Sequence, residues 1–142
     1  DNAIHTFSGV QLRLKCAEIM KIQGESEATG KAKITPAYNL PCKYILHTVG
    51  PIVTGKLTGR DCGLLRSCYR SCLTLADEYK LNSVAFCCIS TGEFNFPNYE
   101  AANIAIDTVN EFLKDNYKKI DRIIFNVFKD YDYKIYRDLL IK

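Results

Sequence analysis

The chain has 142 residues, 47% of them apolar and 25% charged, with a formal net charge of +3. That length fits one domain with a real core, and no apolar run approaches the ~20 residues that a membrane-spanning helix needs. Nine tyrosines and seven phenylalanines exclude low-complexity disorder, and 19 basic residues scattered among 16 acidic ones give no nucleic-acid face, the densest cluster being Lys118-Lys119 with Arg122.

The chain opens Asp1-Asn2 with no methionine and runs at once into a helical pattern, so a further segment is expected upstream. No basic stretch followed by an apolar run marks a signal peptide. Leu12, Cys16, Ile19 and Met20 follow the i, i+4, i+7, i+8 spacing of a helical core face. Gln23–Lys31, rich in Gly, Glu, Ser and Thr, reads as an exposed loop, with Lys31 and Lys33 solvated. Ala32–Thr35 is a short strand and Tyr44–Val49 a stronger one, with His47 expected to be buried and satisfied. Gly50-Pro51 then reads as a structural turn. Leu65, Cys68, Cys72, Leu75, Ala76 and Tyr79 form one helical stripe, with Asp61 in the N-cap region. Val84–Ile89 is a strong strand, and a helix starting after Pro97-Asn98 carries Ala102, Ala105, Ile106, Val109, Phe112 and Leu113. Ile123–Phe128 is the last strand, and Ile135, Tyr136, Leu139 and Leu140 close the chain. The three stronger strands are nearly continuous in apolar or β-branched residues, the pattern of strands covered on both faces. Alternation with helices gives an α/β class with a largely parallel sheet between helix layers and right-handed crossovers.

The seven cysteines, at positions 16, 42, 62, 68, 72, 87 and 88, are odd in number and sit mostly inside apolar patterns. They read as small buried hydrophobes in a reducing compartment, which implies a cytoplasmic protein. No metal set forms within the chain. There is no C-x-x-C pair and there are only two histidines. Cys87 and Cys88, adjacent on an expected strand, point to opposite faces. Cys68 and Cys72 share a helix face, but nothing nearby completes four ligands.

Ligands of open α/β sheets bind beyond the carboxyl ends of the strands. The loop Ser90-Thr91-Gly92-Glu93-Phe94-Asn95-Phe96-Pro97 leaves such an end. It offers two hydroxyls, a glycine that lets the backbone approach a ligand and a following helix N-terminus, where backbone N–H groups and the helix dipole favour an anion such as phosphate. It lacks the Walker spacing. The residues alone leave it open whether it binds or merely connects, and whether Phe94 and Phe96 wall a pocket or pack over the sheet edge. Phe128, ending its strand, either stacks on a base or caps the core. Asp1 either caps the first helix or does acid–base work, and His5 is expected to be hydrogen-bonded in the core.

Asp1-Asn2-Ala3-Ile4-His5 followed by Ser8-Gly9 resembles the helix after the first ligand loop of macrodomains. Ala32-Lys33-Ile34-Thr35, Leu40-Pro41 and Tyr44-Ile45-Leu46-His47-Thr48-Val49-Gly50-Pro51 are similar to the central block of that family. Ile89-Ser90-Thr91-Gly92-Glu93-Phe94 resembles its phosphate loop, and Phe125-Asn126-Val127-Phe128 with Tyr133-Lys134-Ile135-Tyr136 its last strand and helix. The runs Phe86-Cys87-Cys88-Ile89-Ser90-Thr91-Gly92 and Asn126-Val127-Phe128-Lys129-Asp130 look closest to the microbial zinc-containing macrodomains. Those are protein–ADP-ribose hydrolases, often found beside a sirtuin-type ADP-ribosyltransferase and lipoylation genes.

The resemblance implies a three-layer α/β/α sandwich around a mostly parallel sheet, residues 1–142 being the larger C-terminal part of a macrodomain. It implies a hydrolase that removes mono-ADP-ribose from modified protein, or else a non-catalytic module binding ADP-ribose or O-acetyl-ADP-ribose. Ser90, Thr91, Gly92, Glu93 and Phe94 would wrap the diphosphate and distal ribose, and Phe128 would stack on adenine. Asp1 and Asn2 would lie by the distal ribose, with Asp1 the catalytic carboxylate. The family's first strands, its Cys/His/Cys zinc ligands and its acidic adenine-binding residue fall upstream of Asp1, outside this chain. The implied partners are ADP-ribose or an ADP-ribosylated protein and a sirtuin-type transferase, with no nucleic acid or membrane.

Overall fold

The computed structural model describes residues 2–115 and 119–141. Among them the elements run α1 (Asn2–Ser8), α2 (Val10–Gln23), β1 (Ala32–Pro36), β2 (Tyr44–Thr48), α3 (Gly59–Glu78), β3 (Ser83–Phe86), α4 (Asn98–Leu113), β4 (Arg122–Phe125) and α5 (Asp130–Leu140). The expected opening helix is therefore two, broken at Gly9, whose φ of 95° lies where L side chains rarely go. Helix α3 starts with a capping box. The Thr58 hydroxyl accepts from the Asp61 N–H at 3.2 Å, and the Asp61 carboxylate accepts from the Thr58 N–H at 3.0 Å. Asp61 thus supports the cap from the third helical position, and Thr58 is the cap itself.

The main core lies where α3 and α4 pack together over β3 and β4. Leu65, Tyr69, Cys72, Leu73 and Ala76 of α3 meet Ala101, Ala102, Ala105, Val109 and Phe112 of α4. The three alanines let the helices approach closely. Tyr69 touches Phe86 (ring centroids 4.9 Å apart), and Phe125 packs on Tyr136 at 5.0 Å, which brings α5 onto the same layer. A smaller cluster of Leu12, Ala37 and Ile45 joins α2 to β1 and β2. Ile45 faces α2 while its neighbour Leu46 packs on the main core, so this strand pair is covered on both faces.

Several expectations change. The pairing is β1 with β2, antiparallel from Ala32↔Thr48 to Pro36↔Tyr44, and β3 with β4, parallel from Ser83↔Arg122 to Phe86↔Phe125. Among the described residues no rung joins β2 to β3, so a continuous, mostly parallel sheet is not what pairs here. Apolar continuity reported burial and not strand direction, and even the burial is partial: Ala85 and Ile124 are exposed on the outer face of β3–β4. Both late strands are shorter than expected. The Asn126 N–H donates to the Phe86 carbonyl at 2.7 Å, the last bond across the pair, and Cys87–Ile89 and Val127-Phe128 lie beyond it in the loops. Of the first stripe only Leu12 is fully buried, and Cys16, Ile19 and Met20 are half-buried. Tyr79 and Leu140 end their stripes exposed. Cys68 and Cys72 are buried as expected, whereas Cys42 and Cys87 are exposed.

Candidate functional site

Because β3 and β4 are parallel, their carboxyl ends coincide, and the loops that follow them leave side by side. The end of β2 joins them there: an added Cβ on Gly50 would strike the Ser90 side chain. Helix α1 is tied down at its last residue: the Ser8 hydroxyl donates to the Ala37 carbonyl at 2.6 Å, and the Ser8 carbonyl accepts from the Asn39 N–H at 3.1 Å, near the start of β2. His5 lies within electrostatic reach of His47.

The loop after β3 is held from within. Ser90 takes a left-handed φ of 66° and Asn95 one of 60°. The Phe96 N–H donates to the Ser90 carbonyl at 2.9 Å, and the Asn95 N–H to the Gly92 carbonyl at 3.1 Å. Phe96 is 1% exposed and anchors the loop in the core, so of the two readings of its ring, packing is the observed one. The Thr91 hydroxyl donates to the Cys88 carbonyl at 3.1 Å, and the Ser90 Oγ is buried without a protein partner. Neither hydroxyl is presented to solvent as a simple anion donor. The donors that remain are main-chain. Among the described residues nothing accepts from the N–H groups of Thr91, Gly92, Glu93 and Phe94. A left-handed residue at Ser90 and a buried unpaired hydroxyl each cost about 1–3 kcal/mol.

Glu93 is exposed and Phe94 half-buried, its carbonyl accepting from the Val53 N–H at 2.9 Å. No protein atom lies within 4 Å of an added Gly92 Cβ, so the space over that glycine is open. Phe128 is 96% exposed, which removes the core-capping reading. Asp1 lies outside the described residues. Sequence reasoning missed one tie across the site: the Asn98 side-chain amide donates to Asp132 at 2.7 Å, joining the first turns of α4 and α5. Asp132 is buried, and residues 34 apart in sequence carry no local signal of such a pairing.

Burial, followed by the Asp132 charge, pushes the Cys88 thiol up to about 11. His47 is lowered by burial first and by His5 second, and its Nε2 shares a 2.9 Å hydrogen bond with the Thr35 hydroxyl, the satisfied strand histidine that was expected. Among the described residues no three His, Cys, Asp or Glu side chains converge, and the zinc ligands that the resemblance implies fall upstream of Asp1. A groove between α3 and α4, flanked by Arg66, Arg70, Asp107, Glu111 and Lys114, lies elsewhere and carries mixed charge.

A family model described as "Macro domain" matches residues 1–105. A protein-ADP-ribose hydrolase of Treponema medium is 58% identical over 140 residues, covering 99% of this chain and 53% of that protein. The chain thus spans about half the length of the curated relatives it matches. An Oceanobacillus iheyensis macrodomain solved with ADP superposes with a TM-score of 0.91 at 37% identity, over 99% of this chain and 73% of that one. A variant of the same macrodomain solved with ADPR gives 0.90 at 37% identity, over 98% and 74%.

Proposed function

The chain belongs to the Macro domain family, and from that premise we propose that it carries the ADP-ribose site of a hydrolase removing mono-ADP-ribose from modified protein. One observation carries the reading: four successive N–H groups, Thr91 to Phe94, stand without acceptors among the described residues, at the sheet end that also exposes Phe128. A row of main-chain donors suits a diphosphate, and an exposed ring suits adenine by stacking. Held at both points, the molecule is fixed at its far ribose, so binding energy from the remote half orients the reacting end.

The reaction breaks the bond from the anomeric carbon of that ribose to the protein side chain. A water oxygen bonds to the carbon, the water proton passes to a base, and the leaving atom takes up a proton. The transition state resembles an oxocarbenium ion, which a neighbouring carboxylate stabilises. Asp1 fills that role in this reading, with Asn2 beside it. The reaction that must supply the substrate is an ADP-ribosyl transfer to protein, for which a sirtuin-type enzyme is the expected partner. Zinc enters only through ligands upstream of Asp1, which metal analysis of the intact protein tests. Seven unpaired cysteines support a reducing, cytoplasmic setting. Coverage of β1–β2 by α2 on one face and the main core on the other supports the three-layer sandwich, with a mostly parallel sheet as its full form.

Gly92→Val is the first test. Its Cβ enters open space, so folding is expected to be unchanged while ADP-ribose binding measured by calorimetry is lost. Equal affinity removes the loop from phosphate binding. Asp1→Ala is expected to keep binding and lose release of ADP-ribose from a modified protein. Binding with no turnover in the parent protein, under any metal condition, would make it a reader and not a hydrolase.

A further inference from the structure

We propose that Gly50 is a positioning residue for the phosphate loop, acting through Ser90 and resting on the reading of that loop given above. Gly50 is buried and follows β2 directly. A Cβ built on it would overlap the Ser90 Oγ outright, lie 2.8 Å from Ile89 Cγ2 and 3.3 Å from Ser90 Cβ. Its φ is not in the left-handed region, so close approach alone requires glycine here. The space that a side chain would fill at position 50 is filled instead by the side chain of the residue that makes the loop's left-handed turn.

The turn segment is itself fixed from behind. The Val49 carbonyl accepts from the Gly30 N–H at 2.9 Å and from the Cys68 thiol of α3 at 3.3 Å. Four residues further on, the Val53 N–H donates to the Phe94 carbonyl at 2.9 Å. The loop is therefore gripped at both ends by residues 50–53: Ser90 lodges against Gly50, and Phe94 bonds to Val53. Between these two grips lie Thr91, Gly92 and Glu93, whose N–H groups are unclaimed. A donor row serves a diphosphate only if it is held in advance of binding, and the Gly50 contact sets the backbone turn from which the row starts.

The experiment is a double-substitution cycle in the intact protein with Gly50→Ala, Ser90→Gly and the pair. Two readouts are taken: amide hydrogen exchange at Val53 and Phe96, and ADP-ribose affinity by calorimetry. Gly50→Ala is expected to lose protection at both amides at least tenfold, with Leu73 in α3 unchanged, and to weaken ADP-ribose at least tenfold. Adding Ser90→Gly removes the nearest colliding side chain, leaves only the Ile89 Cγ2 approach at 2.8 Å, and supplies a residue at ease with φ 66°, so the double variant regains part of the protection and affinity lost in Gly50→Ala. If Gly50→Ala does not fold, recovery of folding in the double variant gives the same answer. Wild-type protection in Gly50→Ala, or a double variant no better than the single one, overturns the proposal. If the parent chain fails to bind ADP-ribose, the phosphate reading falls, and the exchange data still decide whether Gly50 positions the loop.

Discussion

Replacing Phe96 by alanine asks whether the loop is fastened to the core or merely lies over it. The ring is 1% exposed and packed in the main cluster, so its removal is a full large-to-small change, worth about 3–5 kcal/mol. A chain of 142 residues has an unfolding entropy of about 0.3 kcal/mol/K. The expected fall in Tm is then roughly 10–17 °C by calorimetry, with a matching drop in the urea midpoint. The Phe96 N–H also closes the loop on the Ser90 carbonyl at 2.9 Å, so ADP-ribose affinity measured well below the new Tm is expected to fall as well. A stability loss under about 1 kcal/mol, the size of an ordinary surface change, refutes the anchoring argument. A full loss of stability with unchanged affinity refutes the link between anchor and site.

Phe128→Ala should behave in the opposite way: with the ring 96% exposed, stability stays within about 0.5 kcal/mol. ADP-ribose should weaken by about 1–3 kcal/mol of lost base stacking, and unchanged calorimetric affinity would remove the ring from adenine binding. His47 is lowered from its ordinary 6.5 by burial, then by His5, so the unfolded chain protonates first as pH falls. Its contribution is whole above 6.5 and is lost through the window below, so Tm should drop from pH 7 to 5, and less steeply in His47→Gln. Parallel slopes for the two proteins would assign that loss elsewhere. Burial pushes the Cys72 thiol up to about 12, so a thiol reagent at neutral pH should label exposed Cys42 in the folded protein and reach Cys72 only on unfolding. Labelling of Cys72 at the rate of Cys42 would contradict its burial.

The elements legible in the sequence were those whose cause is local. The α3 and α4 stripes repeat at helical spacing, and most of their expected members are buried, Ala102, Ala105 and Val109 among them. The position of the Ser90–Pro97 loop followed from a strand's carboxyl end, and Phe128 from the neighbouring strand. What was illegible depends on partners distant in the chain. Nothing near Ala32 or Tyr44 shows that their strands run antiparallel, because direction is decided by what packs against the pair. Phe94 and Phe96 look alike in sequence, yet one is half-buried and the other closed off, and the left-handed Asn95 turns the chain between them.

The same distinction separates what the loop's sequence offers in general, two hydroxyls and a run of backbone N–H groups, from which of those groups are left free. Ser and Thr beside Gly are recognisable as residue types, whereas free N–H groups belong to every residue and appear only after the internal bonds are assigned. In this loop the assignment consumes the Thr91 hydroxyl and the Asn95 and Phe96 amides. It leaves the four amides before them unclaimed, and it lodges the Ser90 side chain against a glycine 40 positions earlier. A site built from backbone donors tolerates many side chains along the loop and few at the places that fix its turn. Gly50 is such a place, and in the sequence it looked like an ordinary turn before a proline.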